Sequence, residues 1–302
     1  MAMQDSQWTG VFPAATTQFD KELNIDFDAT QKGFENLLND GVNGLVIIGT
    51  CGENNSLSAE EKRKVIASAA EVKGSAPIIA GVSEFTTANA IKFAQDAEKA
   101  GVDALMLLPG MVYVPTEDEL VAHFRAVAAE TYLPIMLYNN PTSYRVNMSL
   151  DSLEKLRDVD NIVAIKESAS DTRRFTDLIN AYGDRFKVLA GLDDVALEGL
   201  MLGACAWISG LTSAFPQESV ELVKAFENGD MKRALEIYRW FMPLLHLDAG
   251  HDLVQAIKLA EEIMGRGSER VRMPRMPLAG ARRQAVIDMV EKAAATRPTQ
   301  QG

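Results

Sequence analysis

A lysine inside an apolar run is the residue best equipped for chemistry in this 302-residue chain. Lys166 stands in Ile-Val-Ala-Ile-Lys-Glu-Ser (162–168), where every preceding residue is apolar, and lysine is rarely buried without a reason. An ordinary lysine, with pKa about 10.4, is neutral less than about one part in a thousand of the time at pH 7. Desolvation lowers that pKa and frees the amine to attack a carbonyl or imine carbon. The alternative use of such a lysine is an ion pair with Glu167 or a cap on the strand end. Tyr138 ends Pro-Ile-Met-Leu-Tyr-Asn (134–139), beside an Asn-Pro turn. A phenol there can pass protons to and from a Schiff-base adduct, or it can simply close the top of a core. Gly-Thr-Cys-Gly-Glu (49–53) can expose successive backbone N–H groups around Gly52, a small nest suited to a carboxylate, with the Thr50 hydroxyl beside it. Most turns of that composition are only turns. A metal site is poorly served: His246 and His251 are five apart, off one helical face, and His123 sits alone in a helical pattern.

These residues need elements to hold them. Short apolar runs recur at 11–17, 44–49, 77–82, 104–109, 134–139, 162–168, 186–191 and 206–211. Each is too short for a helix, and most are unbroken rather than alternating, as expected of parallel strands buried on both faces. Helical patterns lie between them. Ser58 and Glu61 form a capping box before one, Thr87 precedes a second that ends at Gly101, Asp171 precedes a third, and Asp193-Asp194 a fourth. Eight strand–helix units within about 220 residues predict a (β/α)8 TIM barrel, an α/β fold. A doubly wound sheet would need a Gly-rich phosphate turn after its first strand, which Val-Phe-Pro-Ala-Ala-Thr-Thr does not supply. The chain then turns purely helical at 230–246, 251–264 and 279–295, so the expected organisation is a catalytic barrel over 8–228 and a C-terminal helical bundle over 229–296. The tail from Ala295 is expected to fray. In such a barrel chemistry sits at the C-terminal ends of the strands, where Lys166, Tyr138 and the 49–53 turn all fall.

Composition narrows the partners. The chain carries 30 basic and 42 acidic residues, a net charge of −12. That balance argues against nucleic acid or an anionic membrane surface. No apolar run approaches the roughly 20 residues that span a bilayer, and the N-terminal segment lacks the features of a signal peptide. Two cysteines, Cys51 and Cys205, suit a reducing cytoplasm rather than a disulfide framework.

Together, the Gly-Thr-Cys-Gly-Glu, Tyr-Asn-Asn-Pro and Ile-Lys-Glu-Ser segments resemble, in order and spacing, the dihydrodipicolinate synthase / N-acetylneuraminate lyase family of Schiff-base barrels, over about residues 8–295. The resemblance implies that Lys166 forms the Schiff base and Tyr138 shuttles protons, with Thr50 and Cys51 helping to hold the substrate carboxylate. It implies no metal or organic cofactor, a small 2-oxo acid or cyclic imino acid as ligand, and a homotetramer. Resemblance to the lyase branch adds Asp193 and Ser209 as contacts for a substrate hydroxyl or amine; Asp193 would equally make a helix N-cap, and Ser209 could simply fill the barrel mouth.

The chain departs from the synthase pattern. Cys51 stands where the synthase has a second threonine, and Ser143 where it has an arginine, with Arg145 two residues on. The synthase's partner-subunit tyrosine aligns with Val112, and Tyr113 is one residue off, a shift that points an extended side chain the other way. On these departures lysine biosynthesis is not expected. The stretches Gly-Glu-Asn-Asn-Ser-Leu-Ser, the Tyr-Asn-Asn-Pro-Thr-Ser-Tyr turn, Ala-Gly-Leu-Asp-Asp, and Arg-Trp-Phe-Met-Pro-Leu-Leu-His-Leu-Asp followed by Leu-Val-Gln-Ala-Ile-Lys-Leu-Ala look most like the Δ1-pyrroline-4-hydroxy-2-carboxylate deaminases of hydroxyproline catabolism. The activity expected from that likeness is attack of Lys166 on the cyclic imine, loss of the 4-hydroxyl as water, and hydrolysis to 2,5-dioxopentanoate and ammonia. The alternative is a 2-keto-3-deoxy sugar-acid aldolase or dehydratase using Lys166 and Tyr138 identically. A non-catalytic barrel that binds a keto acid would need neither residue.

Overall fold

In the computed structural model, which describes residues 2–110 and 113–298, the eight apolar runs become β1 (Gly10–Pro13), β2 (Leu45–Ile47), β3 (Ile78–Val82), β4 (Ala104–Leu107), β5 (Ile135–Asn139), β6 (Ile162–Glu167), β7 (Lys187–Ala190) and β8 (Ala206–Ser209). Their order is β1-β8-β7-β6-β5-β4-β3-β2, with every pair parallel. A parallel bridge from Ala14 to Val46 brings β1 and β2 together. The sheet is therefore a nearly closed (β/α)8 barrel, and almost every strand residue is buried. Unbroken apolar runs are what this demands, because one face of each strand fills the barrel and the other meets the helices.

The barrel helices are α1 (Phe27–Asn39), α2 (Ala59–Val72), α3 (Thr87–Lys99), α4 (Glu117–Ala128), α5 (Pro141–Tyr144), α6 (Leu150–Glu154), α7 (Arg173–Tyr182), α8 (Ala196–Met201) and α9 (Pro216–Glu227). The capping box of α2 forms as read: Ser58 Oγ accepts from the Glu61 N–H at 3.2 Å, and Glu61 accepts from the Ser58 N–H at 2.8 Å. Other helix starts differ. Thr86, not Thr87, caps α3, accepting from the Asn89 N–H at 3.1 Å, while Thr87 pairs with His123 Nδ1 at 3.0 Å. Asp171 accepts from the Arg173 N–H, the first of α7, at 3.1 Å and also binds the Arg173 guanidinium. Asp193 caps no helix, because its carboxylate is turned inward.

Three further helices follow: α10 (Met231–Leu245), α11 (Leu253–Ile263) and α12 (Gly280–Ala294). The α11 helix is tied to the barrel mouth by polar contacts that an independent bundle would not need. Glu261 accepts from the Thr16 hydroxyl at 2.8 Å, and Lys258 donates to the Thr17 carbonyl at 2.8 Å. The chain end is also held as far as it is described, since Arg297 donates to Glu218 at 2.6 Å; the expected fraying does not begin at Ala295. Among the described residues, no helix is long and apolar enough to cross a membrane.

Candidate active site

Lys166 and Tyr138 meet because of a strand irregularity. Near the start of the β5–β6 pair, Ile135 lies opposite Ile162 but Met136 lies opposite Ala164, so Val163 is an extra residue in β6. From there on the register places Tyr138 directly opposite Lys166. Without the bulge Lys166 would face Asn139 instead. The Lys166 Nζ sits over the Tyr138 ring, 4.0 Å from its centroid. Among the described residues no carboxylate lies within 4.0 Å of that amine. The ion pair with Glu167 is not made: Glu167 accepts from Asn139 at 2.9 Å and from Arg174 at 3.0 Å. Burial holds the Lys166 pKa below the ordinary lysine value, partly opposed by Asp248 and other neighbouring groups. The Tyr138 hydroxyl accepts from Asn140 Nδ2 at 3.0 Å, and burial pushes its pKa up, so it is a neutral phenol.

Room for the lysine comes from Gly191, after β7. A Cβ there would lie 2.6 Å from Lys166 Cγ and 2.7 Å from its Cε, closer than any side chain tolerates. The cavity into which the amine points is lined by Thr50, Cys51, Tyr138, Ser143, Lys166 and Asp248, among others.

The 49–53 turn rims the same cavity. Gly52 itself lies behind it, where a Cβ would come 2.8 Å from the Ile48 N atom. Its carbonyl accepts from the Thr17 hydroxyl at 2.8 Å. Glu53, with φ of +55°, swings its carboxylate away from the cavity to Lys258 Nζ at 2.9 Å, both side chains fully buried. Within the described residues the N–H groups of Thr50, Cys51 and Gly52 make no hydrogen bond to protein, which is the arrangement a carboxylate nest requires. Cys51 is a neutral thiol, its pKa pushed far up by burial.

Asp193 and Ser209 do not line the cavity. The Asp193 carboxylate accepts from Trp207 Nε1, the Ser209 hydroxyl and the Leu211 N–H, each at 3.0 Å. This set ties the end of β7 to β8, so the two residues hold each other.

Two residues that the sequence reading passed over come into or beside the site. Tyr144, the last residue of α5, hydrogen-bonds the Thr50 hydroxyl and packs edge-on against Tyr138, ring centroids 5.6 Å apart. Its signal was its place in Tyr-Asn-Asn-Pro-Thr-Ser-Tyr, three residues after a proline that opens one helical turn. Asp248, between α10 and α11, lines the cavity, and burial raises its pKa to about 6. Nothing in its local sequence says that it enters the barrel mouth. Arg145 is exposed and lines an outer groove rather than the cavity. Tyr113 is exposed and donates to Glu119 at 3.0 Å, while Val112 lies outside the described residues. His246 pairs with Asp194, and among the described residues no group of three His, Cys, Asp or Glu could hold a metal.

The model of the dihydrodipicolinate synthetase family matches residues 7–293. A protein of Oleidesulfovibrio alaskensis named 4-hydroxy-tetrahydrodipicolinate synthase is 35% identical over 274 residues, covering 90% of this chain and 94% of its own. One of the same name from Methanothrix thermoacetophila is 33% identical over 284 residues, covering 94% and 96%. The crystal structure of dihydrodipicolinate synthase from Aquifex aeolicus aligns with a TM-score of 0.90 at 28% identity, over 95% of this chain and 98% of that one. A prophage protein of the dihydrodipicolinic acid synthase family from E. coli K12, solved in complex with pyruvate, aligns with a TM-score of 0.89 at 27% identity, over 95% and 99%.

These relatives correct the expectation of a Δ1-pyrroline-4-hydroxy-2-carboxylate deaminase and, with it, of a hydrolase acting on a cyclic imine. Proteins similar over nearly the whole chain carry the synthase name, against the expectation that excluded that branch. Most of the stretches read as deaminase-like serve the scaffold. Asn54 braces the Ile48 and Gly81 carbonyls, Ser58 caps α2, and Trp240 and Phe241 pack against Phe215. Side chains with those duties carry little information about a substrate; Asp248, the last residue of the Arg-Trp-Phe-Met-Pro-Leu-Leu-His-Leu-Asp stretch, is an exception, since it lines the cavity.

Proposed function

Because the chain belongs to the dihydrodipicolinate synthetase family, we propose that it is a Schiff-base lyase of the aldolase type, joining a small 2-oxo acid to an aldehyde or cleaving the product of that union. The observation that carries the reading is the buried Lys166 amine, free of any carboxylate partner among the described residues and held 4.0 Å over the Tyr138 ring. A pyruvate-bound relative of the same fold supports a 2-oxo acid as ligand. The 2-keto-3-deoxy sugar-acid aldolase alternative falls within this class.

The residues divide the work as follows. The neutral amine attacks C2 of the 2-oxo acid, whose carboxylate is taken by the Thr50–Gly52 N–H groups, with Thr50 and Cys51 alongside. Tyr138 gives its proton to the C2 oxygen as it leaves as water, producing an iminium ion and a phenolate beside it. The phenolate then takes a proton from C3, and the electron pair moves into the iminium to give an enamine. C3 of the enamine attacks the aldehyde carbon; hydrolysis of the iminium releases product and restores the amine. A cytoplasmic homotetramer is part of the same reading, supported by the two free thiols and the family membership.

The test is reduction with borohydride in the presence of pyruvate, followed by peptide mass mapping. Wild-type protein should gain one reduced adduct on the Lys166 peptide and Lys166→Ala none. An unmodified wild type, or an adduct that survives in the alanine variant, would sink the proposal.

A further inference from the structure

The cavity contains one carboxylate that the chemistry above leaves unused. Asp248 reaches it from the α10–α11 connection, and the bare Cα of Gly210 makes its seat: a Cβ there would fall 2.4 Å from Asp248 Oδ1. Among the described cavity-lining residues Asp248 is the sole carboxylate and Lys166 the sole base. Each is the strongest charged influence on the other, yet no ion pair within 4.0 Å joins them among the described residues. The two face the same space without closing it.

The topology orients a bound adduct in that space. The N–H groups suited to the C1 carboxylate follow β2, four strands from β6 in the barrel order, whereas Asp248 lies over the end of β8, two strands away. A C1 carboxylate placed beside Asp248 would meet like charge, so C1 belongs over β2 and the C3–C4 half toward β8. Among the described residues no arginine lines the cavity, and Ser143 and Thr142 are neutral.

Resting on the Schiff-base lyase reading, we propose that Asp248 determines specificity and acts on the far half of the substrate: it holds the hydroxyl on C4 of the Lys166 adduct and rejects a second anionic group there. In cleavage, the Asp248 carboxylate takes the C4 hydroxyl proton as the C3–C4 bond breaks. The bonding pair moves between C3 and C2 and neutralises the iminium, leaving an aldehyde and the enamine. In condensation the carboxylic acid returns that proton to the aldehyde oxygen as C3–C4 forms. The aldehyde partner is therefore uncharged.

Two 4-hydroxy-2-oxo acids identical through C4 test this: 4-hydroxy-2-oxopentanoate, neutral beyond C4, and 4-hydroxy-2-oxoglutarate, which carries a carboxylate there. Wild type should cleave the neutral compound with kcat/KM about 10²-fold higher, the scale of like-charge repulsion at an effective dielectric of about 20. Asp248→Asn should lose about 10²-fold or more in kcat on the neutral compound, shrink the discrimination to a few-fold, and still trap pyruvate on Lys166. Gly210→Ala, which pushes the carboxylate from its seat, should shift both readouts the same way. An Asp248→Asn enzyme as fast and as selective as wild type overturns the assignment. So does one that no longer traps pyruvate, because Asp248 would then serve Lys166 rather than C4. A wild type that traps pyruvate but prefers the dianion, or cleaves neither compound, refutes the inference alone. A wild type that traps nothing removes the lyase reading first, and this one with it.

Discussion

The acid–base pair at the centre of the site is set by solvation. Lys166 is buried against a phenol rather than a carboxylate, so desolvation decides its pKa and lowers it, whereas an ion pair with Glu167 would have raised it. The amine reacts only when neutral, so a lowered pKa extends adduct formation to lower pH than an ordinary lysine permits. The rate of borohydride-trapped pyruvate adduct, followed from pH 5 to 10, should hold up well below pH 10 and fall only below the depressed pKa. Asp248→Asn removes a negative neighbour that raises the Lys166 pKa, so its profile should move to lower pH; a move to higher pH would show that the two groups do not interact as their geometry implies. Tyr138→Phe keeps the ring under the amine but removes the proton carrier. Pyruvate trapping should persist more slowly, while turnover falls by about 10²–10⁴-fold. Unchanged turnover would pass the proton shuttle to another group, with Tyr144, packed edge-on against Tyr138, the candidate.

Elements align these residues, and one irregular element does most of it. The extra Val163 in β6 brings Lys166 opposite Tyr138; a regular pair would leave them out of step. The 49–53 turn is positioned by α11 through the fully buried Glu53–Lys258 pair. Removing Lys258 leaves the buried Glu53 carboxylate with the Arg272 N–H at 3.0 Å and the Arg275 guanidinium at 4.0 Å. Lys258→Met should therefore destabilise the fold by about 3–5 kcal/mol in urea unfolding. Adding Glu53→Gln to it should recover part of that loss. Equal stability of the single and double variants would mean that water reaches Glu53 and that the pair does not anchor the turn.

Across the whole molecule the barrel and the C-terminal helices share one set of polar contacts, although the sequence divides neatly near residue 228. Glu261 on α11 lies against Thr16 beyond β1, and burial lifts its pKa to about 7 from an ordinary 4.5. The folded state thus binds this proton more tightly than the unfolded chain does. Its contribution to stability is complete below about pH 4.5 and is lost as pH rises to about 7. Glu261→Gln lacks that loss, so its melting temperature relative to wild type should climb across that window; a difference that stays flat with pH would place the Glu261 proton elsewhere. The same contacts predict that a chain ending at residue 228, which loses Lys258 and Glu261 from the barrel mouth, would unfold at lower temperature than the full chain.

The sequence by itself determined the barrel, the three later helices and the candidacy of Lys166, Tyr138 and the 49–53 turn. Those features are written in local patterns: unbroken apolar runs, caps, and a lysine where a strand should be dry. The roles offered for Asp193 and Ser209 were also read from strand ends, but a strand end does not say which way a carboxylate turns, and here it turns to Trp207. Only the tertiary structure decided that Val163 shifts the register, that Tyr144 folds back onto Thr50, and that Asp248 enters the barrel mouth from a helix connection more than 80 residues beyond Lys166 in the chain. Each depends on contacts between segments far apart in sequence. Their free energy comes from packing and desolvation in three dimensions, and no local periodicity encodes it.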